Sequence, residues 1–404
     1  MILNQKKSLL FMASPLAVAM GLSVQPVFAD SLIDALSSGT TTGDIRLRYE
    51  TVEQDNAADD ADALTIRTRL TYTTGSLSGF SGVLEMEDSR SVLGIDDYTV
   101  GPTGFKPGQY SVIADPQTTE LDQAFIQYKS DIATIKAGRQ VITLDGHRFV
   151  GHVGWRQDRQ TFDALSASFT PIEDLSITYA YIAQRNRIFA EAGDLDSKDN
   201  VLNVSYQTPI GKLVGYSYLL DVDDNIDNDL DTLGLSFSGA AGGDSAKFLY
   251  SLEFATQDSE AGDYEADYSL VELGVQLTPV TLKLGVETLG SDGGNYGFST
   301  PLATLHKFNG WADSFAVITP TQGLVDTYFS AAGKVGPVSL MIAFHDFEAD
   351  DDSPTVSDLG DEIDLQAVWK INKNYVAGIK YAAYDAGDIN VDTDKLWIWF
   401  NVNF

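Results

Sequence analysis

Lys395-Leu396-Trp397-Ile398-Trp399-Phe400-Asn401-Val402-Asn403-Phe404 closes the chain. Side chains of a strand alternate between two faces. Leu396, Ile398, Phe400, Val402 and Phe404 therefore form one apolar row, and Lys395, Trp397, Trp399, Asn401 and Asn403 form the other. A soluble edge strand this flat and apolar is an aggregation hazard, so the segment calls for pairing on both sides or for lipid against its apolar row. Its length suits the roughly 9 to 11 residues with which a tilted strand crosses a bilayer.

The other end of the chain supplies a compartment. Lys6 and Lys7 precede a largely apolar run, Ser8 to Met20, and Val27-Phe28-Ala29 offers short residues for cleavage. Residues 1–29 are thus expected to be a secretory signal peptide. Ser14-Pro15 and Gly21 break the run short of the ~20 residues of a spanning helix. No long apolar stretch follows, yet 44% of the chain is hydrophobic and 11% aromatic. A transmembrane barrel spreads its apolar residues over alternating positions, which reconciles the two. The terminal Phe404 also resembles the end of the closing strand of outer-membrane barrels.

Charge and composition exclude several classes. A net charge of −32 argues against nucleic acid, since phosphate binding needs clustered cations. The absence of Cys removes disulfides and thiolate metal sites. Four scattered histidines, His147, His152, His306 and His345, offer little for a metal centre, and no cofactor is expected.

Residues 30–42 read as a short, helical periplasmic lead-in, and 43–404 as one all-β domain of alternating segments. The count is about eighteen strands, within 16 to 20. Tight turns such as Thr208-Pro209-Ile210-Gly211, Thr278-Pro279 and Asn372-Lys373-Asn374 alternate with longer, mostly acidic connections. That asymmetry predicts a transmembrane antiparallel β-barrel in the Gram-negative outer membrane, both termini periplasmic. A soluble sandwich shares the alternation. The export signal, the terminal strand and the turn asymmetry favour the barrel.

With the apolar rows set against lipid, the opposite rows face the lumen. Ile45, Leu47 and Tyr49 outside leave Arg46 and Arg48 inside; Leu64, Ile66 and Leu70 leave Arg67 and Arg69. The same parity brings Lys380 and Lys395 inward. Closure of the last strand on the first joins all six into one basic wall. Such a wall in a narrow channel concentrates anions, and arginine grips carboxylates in pairs. Its alternative role is structural pairing with lumen carboxylates such as Glu85 and Glu87.

Two connections are candidates for the constriction. The Gly-rich stretch 140–158 is framed by Arg139, Arg148, Arg156 and Arg159 and contains Trp155; alternation puts Arg139 on the outer face, at the rim or after a bulge. The stretch from Ser291 to Gly323 is longer than an unstructured connection usually is, and its centre, with His306, Lys307 and Trp311, is suited to packing. The acidic runs Asp221 to Asp229 and Glu348 to Asp352 are expected to be solvated loops; the alternative is calcium or magnesium bridging their carboxylates to each other or to lipopolysaccharide phosphates.

Gly138-Arg139-Gln140, Arg148-Phe149-Val150-Gly151, Trp155-Arg156-Gln157 and Gln160-Thr161-Phe162-Asp163, together with the stretch from Pro301 to Asp313, resemble the alginate-export-like outer-membrane porins. The resemblance implies an eighteen-stranded barrel with an electropositive pore for polyuronate export. It further implies that Arg139, Arg148, Arg156 and Arg159 belong to the conducting site. The expectation is a passive channel for anionic or carboxylate-bearing solutes, in contact with outer-membrane lipid and lipopolysaccharide and inserted by the barrel-assembly machinery. A non-conducting structural or adhesin barrel and an outer-membrane hydrolase are the alternatives. The single strand histidine, His345, has no evident Ser partner, and an enzyme is not expected.

Overall fold

The computed structural model describes residues 28–223, 229–243 and 245–404. All but the last two positions of the expected signal peptide, 1–29, lie outside the described residues. A helix, α1 (Phe28–Ser37), leads into β1 (Thr40–Gln54), which begins a few residues before the expected start at 43. The first half continues through β2 (Ala61–Thr73), β3 (Phe80–Asp97), β4 (Thr118–Lys129) and β5 (Ala133–Gln140). It is completed by β6 (Thr161–Ile172), β7 (Leu175–Asn186), β8 (Leu195–Thr208) and β9 (Gly211–Leu220). The second half comprises β10 (Leu230–Gly242), β11 (Ala246–Ser259), β12 (Tyr264–Leu277), β13 (Val280–Leu289) and β14 (Leu324–Val335). The last four are β15 (Val338–Ser353), β16 (Val356–Lys370), β17 (Tyr375–Ala386) and β18 (Thr393–Asn403).

All eighteen belong to one antiparallel sheet in which β1 pairs with both β2 and β18, so the sheet closes on itself. Closure satisfies every strand edge, the condition for a β-structure to sit in hydrocarbon. The closing strand lies as its period-two pattern requires: Ile398 and Phe400 are exposed, whereas Lys395, Trp397 and Trp399 are buried inside. Leu84, Leu235, Phe254, Leu273, Leu284, Phe344 and Ile363 repeat the outward apolar row around the wall. In water this belt would far exceed the few hundred Å² of apolar patch that a soluble monomer shows. No described helix is long and apolar enough to cross a membrane.

The two rims differ. Turns such as 130–132, 173–174, 209–210, 278–279 and 336–337 close one rim, where β1 begins and β18 ends. Connections 98–117, 141–160 and 290–323 rise from the other and turn inward. They bring Phe149, Val150, Phe298, Leu302 and Trp311 into a core with the lumen-facing Tyr216, Tyr218 and Tyr268.

One expected loop is not a loop. Glu348 to Asp352 continue β15, whose hairpin with β16 leaves only residues 354–355 as the turn. Packing carries the strand on: Phe347 lies 5.0 Å from Phe315 between ring centroids, and Ala349 is buried. Asp350 accepts from the Ser291 N–H at 2.9 Å, which ties this extension to the inward loop. Of the other acidic run, 224–228 lie outside the described residues.

Candidate functional site

The closure of β18 on β1 decides the geometry of the site. Arg46 lies opposite Arg67 on β2 and Asn401 on β18, Lys380 opposite Trp397, and Lys395 opposite Ala382. Inward parity thus gathers Lys380, Lys395, Arg46, Arg48, Arg67 and Arg69 on four adjacent strands, all of them buried. Six like charges on one wall require counter-charges; Asp44, Glu50 and Glu87 supply them from the strands, and Asp115 and Asp313 from the loops.

Loop 141–160 sits directly on these cations. Arg46 donates to the Gln157 amide oxygen at 2.9 Å and to the Arg156 carbonyl; Arg69 donates to the Gln157 carbonyl at 3.1 Å. Arg48, fully enclosed, donates to the Trp155 carbonyl, pairs with Asp115 and stands 3.2 Å from Glu50. Arg69 pairs with Glu87 and Arg67 with Asp44. Arg156 returns from the loop to grip Glu50 with one nitrogen at 2.8 and 3.0 Å and Asp313 at 3.2 Å. Arg159 pairs with Glu85 and, at 2.8 Å, with Asp122. The wall and the constriction are therefore one hydrogen-bonded body. A charge-assisted bond is about twice as strong as a neutral one, and breaking a buried pair leaves an uncompensated charge.

Lys380 is treated differently. Its ammonium stands 4.0 Å from the centre of the Trp155 ring and 3.9 Å from that of Trp311, and donates to His306 Nε2 at 3.0 Å. His306 stacks on Trp155 at 4.8 Å and 5°, and its Nδ1 meets Asp313 at 2.9 Å. Burial pushes the His306 imidazole down to about 3; Asp313 opposes the shift and Lys380 adds to it. The neutral ring donates from Nδ1 to the carboxylate and accepts from the ammonium at Nε2. Lys395 completes the group, 3.3 Å from Asp313. Lys307 caps the Gly146 carbonyl at 2.8 Å and so staples loop 290–323 to loop 141–160.

Two of the candidate residues lie apart from this cluster. Arg148 crosses to the far wall, bonding Glu287 at 2.6 Å and Asn309 at 3.1 Å, with Phe308 and Tyr268 under its guanidinium. Arg139 shares the face of the exposed Ile135 and Ala137, and its ion pair with Asp163 at 2.7 Å draws it towards β6. Gly138, at φ 123°, and a register shift after Asp163 mark this stretch as irregular.

The wall that adjoins β17 and runs on round the lumen is acidic, which the reading of the basic rows did not include. Glu253, Glu272, Glu287, Asp326, Glu362 and Asp364 project inward from β11 to β16. Several are held by neighbours: Tyr216 on Glu253 at 2.8 Å, Tyr268 on Glu287 at 2.6 Å and Tyr328 on Glu272 at 2.8 Å. The signal was the same alternation, since Leu252, Val271, Leu284, Phe329 and Ile363 beside them are exposed. His345 rests on Asp326 at 2.9 Å and stands 3.8 Å from Asp364.

Among the described residues, cavities open against these walls. A chamber of about 730 Å³ runs along the acidic wall and reaches Lys380 and Trp155. A second, about 440 Å³, opens at the loop rim between Val52, Phe189, Val317, Arg156 and Lys395. A third, about 500 Å³, lies at the turn rim against Arg69, Glu85 and Arg159. His306 borders the first two and separates them.

A closed wall that is apolar outside and charged within, narrowed by loops dipping from one rim, is the architecture of an outer-membrane porin. Solved structures share it. Over 92% of this chain and all of the other, Pseudomonas aeruginosa OccK9 (OpdG) superposes with a TM-score of 0.71 at 12% identity. Acinetobacter baumannii OccAB4 gives 0.72 at 12% identity over 91% of this chain and 98% of its own. Pseudomonas aeruginosa OpdK, crystallised with vanillate, gives 0.69 at 12% identity over 90% and 98%. No curated protein matches the chain significantly in sequence. The alginate export family model matches residues 40–298, and the chain belongs to that family.

Proposed function

We propose that the protein is a passive channel of the Gram-negative outer membrane for small carboxylate-bearing solutes. The observation that carries this reading is the gathering of Lys380, Lys395, Arg46, Arg48, Arg67 and Arg69 on the inward rows of four adjacent strands. Glu253, Glu272, Glu287 and Asp326 of β11 to β14 line the same chamber as Lys380 and set up a field across the lumen. A carboxylate is drawn along the basic side, where the Lys380 and Lys395 ammoniums and the outer edge of Arg156 border the chambers. Chambers of about 730 and 440 Å³ suit single small molecules rather than a thick polymer. Vanillate, the molecule bound in the OpdK crystal, is an aromatic monocarboxylate of that scale.

In this reading residues 1–29 direct export, the turn rim faces the periplasm, and lipopolysaccharide meets the loop rim. His306 divides the path, so passage requires loop 290–323 to yield at that point. Liposomes containing the refolded protein should swell faster in benzoate than in an uncharged solute of similar mass. Equal rates would contradict the carboxylate preference. Polyuronate passage is the second reading, favoured by the alginate export family match. Swelling in oligouronates of increasing length separates the two: a polymer path admits long chains, whereas the small-solute path excludes them.

A further inference from the structure

The helix α1 lies outside the wall rather than in the lumen. Its last turn is fixed to the turn between β2 and β3: the Gly75 N–H donates to the Ala35 carbonyl at 2.8 Å, and the Tyr72 hydroxyl to the Leu36 carbonyl. Tyr72 belongs to the outward row of β2, with Leu64, Ile66 and Leu70, and pairs with the exposed Leu84 of β3. Leu36 closes a shallow groove with Tyr72, Leu84 and Ile126, all of which lie on the apolar outer belt. Phe80, Tyr128, Trp369, Tyr375 and Phe404 are exposed at this rim. Exposed aromatic rings gather at the level of the lipid headgroups in transmembrane barrels.

The sequence of α1 divides cleanly around its axis. At about 100° per residue, Leu32, Ile33 and Leu36 occupy one arc, Ser31 and Asp34 lie opposite it, and Ser37 borders it beside Ile33. Ala35 faces the barrel and is buried, whereas Leu32, Ile33 and Leu36 are 52%, 61% and 50% exposed. Three large aliphatic side chains on a helix docked by its backbone, beside a lipid-facing belt and among headgroup-level aromatics, have one natural covering.

We infer that α1 is an interfacial helix that seats Leu32, Ile33 and Leu36 in phospholipid at the turn rim, as an amphipathic helix does at the boundary between headgroups and acyl chains. The occupant is the leaflet that bathes the belt itself, because the apolar arc is continuous with Leu84 and Ile126 through Leu36. The helix thereby adds a lateral anchor to the barrel and leaves the turn-rim mouth unobstructed. This role is independent of whether the lumen conducts.

The chain has no cysteine, which makes the test direct. Ile33→Cys and Asp34→Cys variants of the full-length barrel would carry an environment-sensitive fluorophore in phosphatidylethanolamine–phosphatidylglycerol vesicles. A label at 33 should be quenched by a nitroxide placed near the headgroup end of the lipid chain and shielded at least several-fold from aqueous iodide relative to one at 34. Equal iodide access at the two positions would overturn the inference. Shielding at 33 from both quenchers would overturn it as well, since a protein surface or a second copy would then cover the helix.

Discussion

Arg48 shows what a buried cation does in this lumen. It has no exposed surface, and Asp115, Glu50 and the Trp155 carbonyl surround it. Arg48→Gln leaves Asp115 without its ion-pair partner, while Glu50 keeps Arg156, a loss of about 3–5 kcal/mol for a buried pair. The expected outcome is a folded barrel whose loop 141–160 becomes sensitive to protease; unchanged resistance would contradict the pairing. His306 makes the complementary prediction about pH. Docked, its imidazole stays neutral down to about 3. Released into water it titrates near 6.5. Between those values the released loop binds a proton that the docked loop refuses, so docking weakens as pH falls, by about 1.4 kcal/mol per unit. Burial sets that sign, Lys380 and Arg156 reinforce it, and Asp313 opposes it. Channel noise should rise between pH 6.5 and 4.5 in the native protein and lose that part of its pH response in His306→Gln; an identical pH response in the variant would contradict this role of the histidine.

Among the elements, strands were far more legible than loops. A period of two in the last ten residues, read with the lipid side assigned, sufficed to place Trp397 and Trp399 inside and Ile398 and Phe400 outside. The same parity put six cations on one wall, because cross-strand neighbours follow once a barrel closes. What held them was readable only in part: alternation sets Glu87 beside Arg69, but it carries no sign of the loop contacts. Arg46 and Arg69 also donate to backbone carbonyls about a hundred residues away, and composition carries no trace of such a bond. Glu348 to Asp352 misled for a related reason: a run of carboxylates looks like a solvated loop, but Phe347 and Ala349 anchor it as strand. Within loop 290–323, Gly310 has φ 81°, and a Cβ there would strike the Glu362 carboxylate. Gly310→Ala should therefore displace Trp311 from Lys380 and raise single-channel conductance. Trp155→Ala, which removes the ring stacked on His306 and facing Lys380, should do the same from the other loop. Conductance unchanged in both variants would mean that these loops do not set the limiting aperture.

At the scale of the whole molecule, a net charge of −32 coexists with a basic inner wall. Selectivity by local field and selectivity by overall charge thus point in opposite directions. An acidic chain acting through its mean charge would pass cations. A channel governed by Lys380, Lys395 and the arginine rows passes anions, because the field at a narrow, partly desolvated point outweighs distant screened charge. The reversal potential of the refolded protein in a planar bilayer, under a tenfold gradient of potassium chloride, separates the two directly. Discrete single-channel steps with an anion-biased reversal potential, shifted towards zero in the Lys380→Gln, Lys395→Gln double variant, are expected. A silent barrel, or one whose reversal potential is cation-biased, would contradict the account.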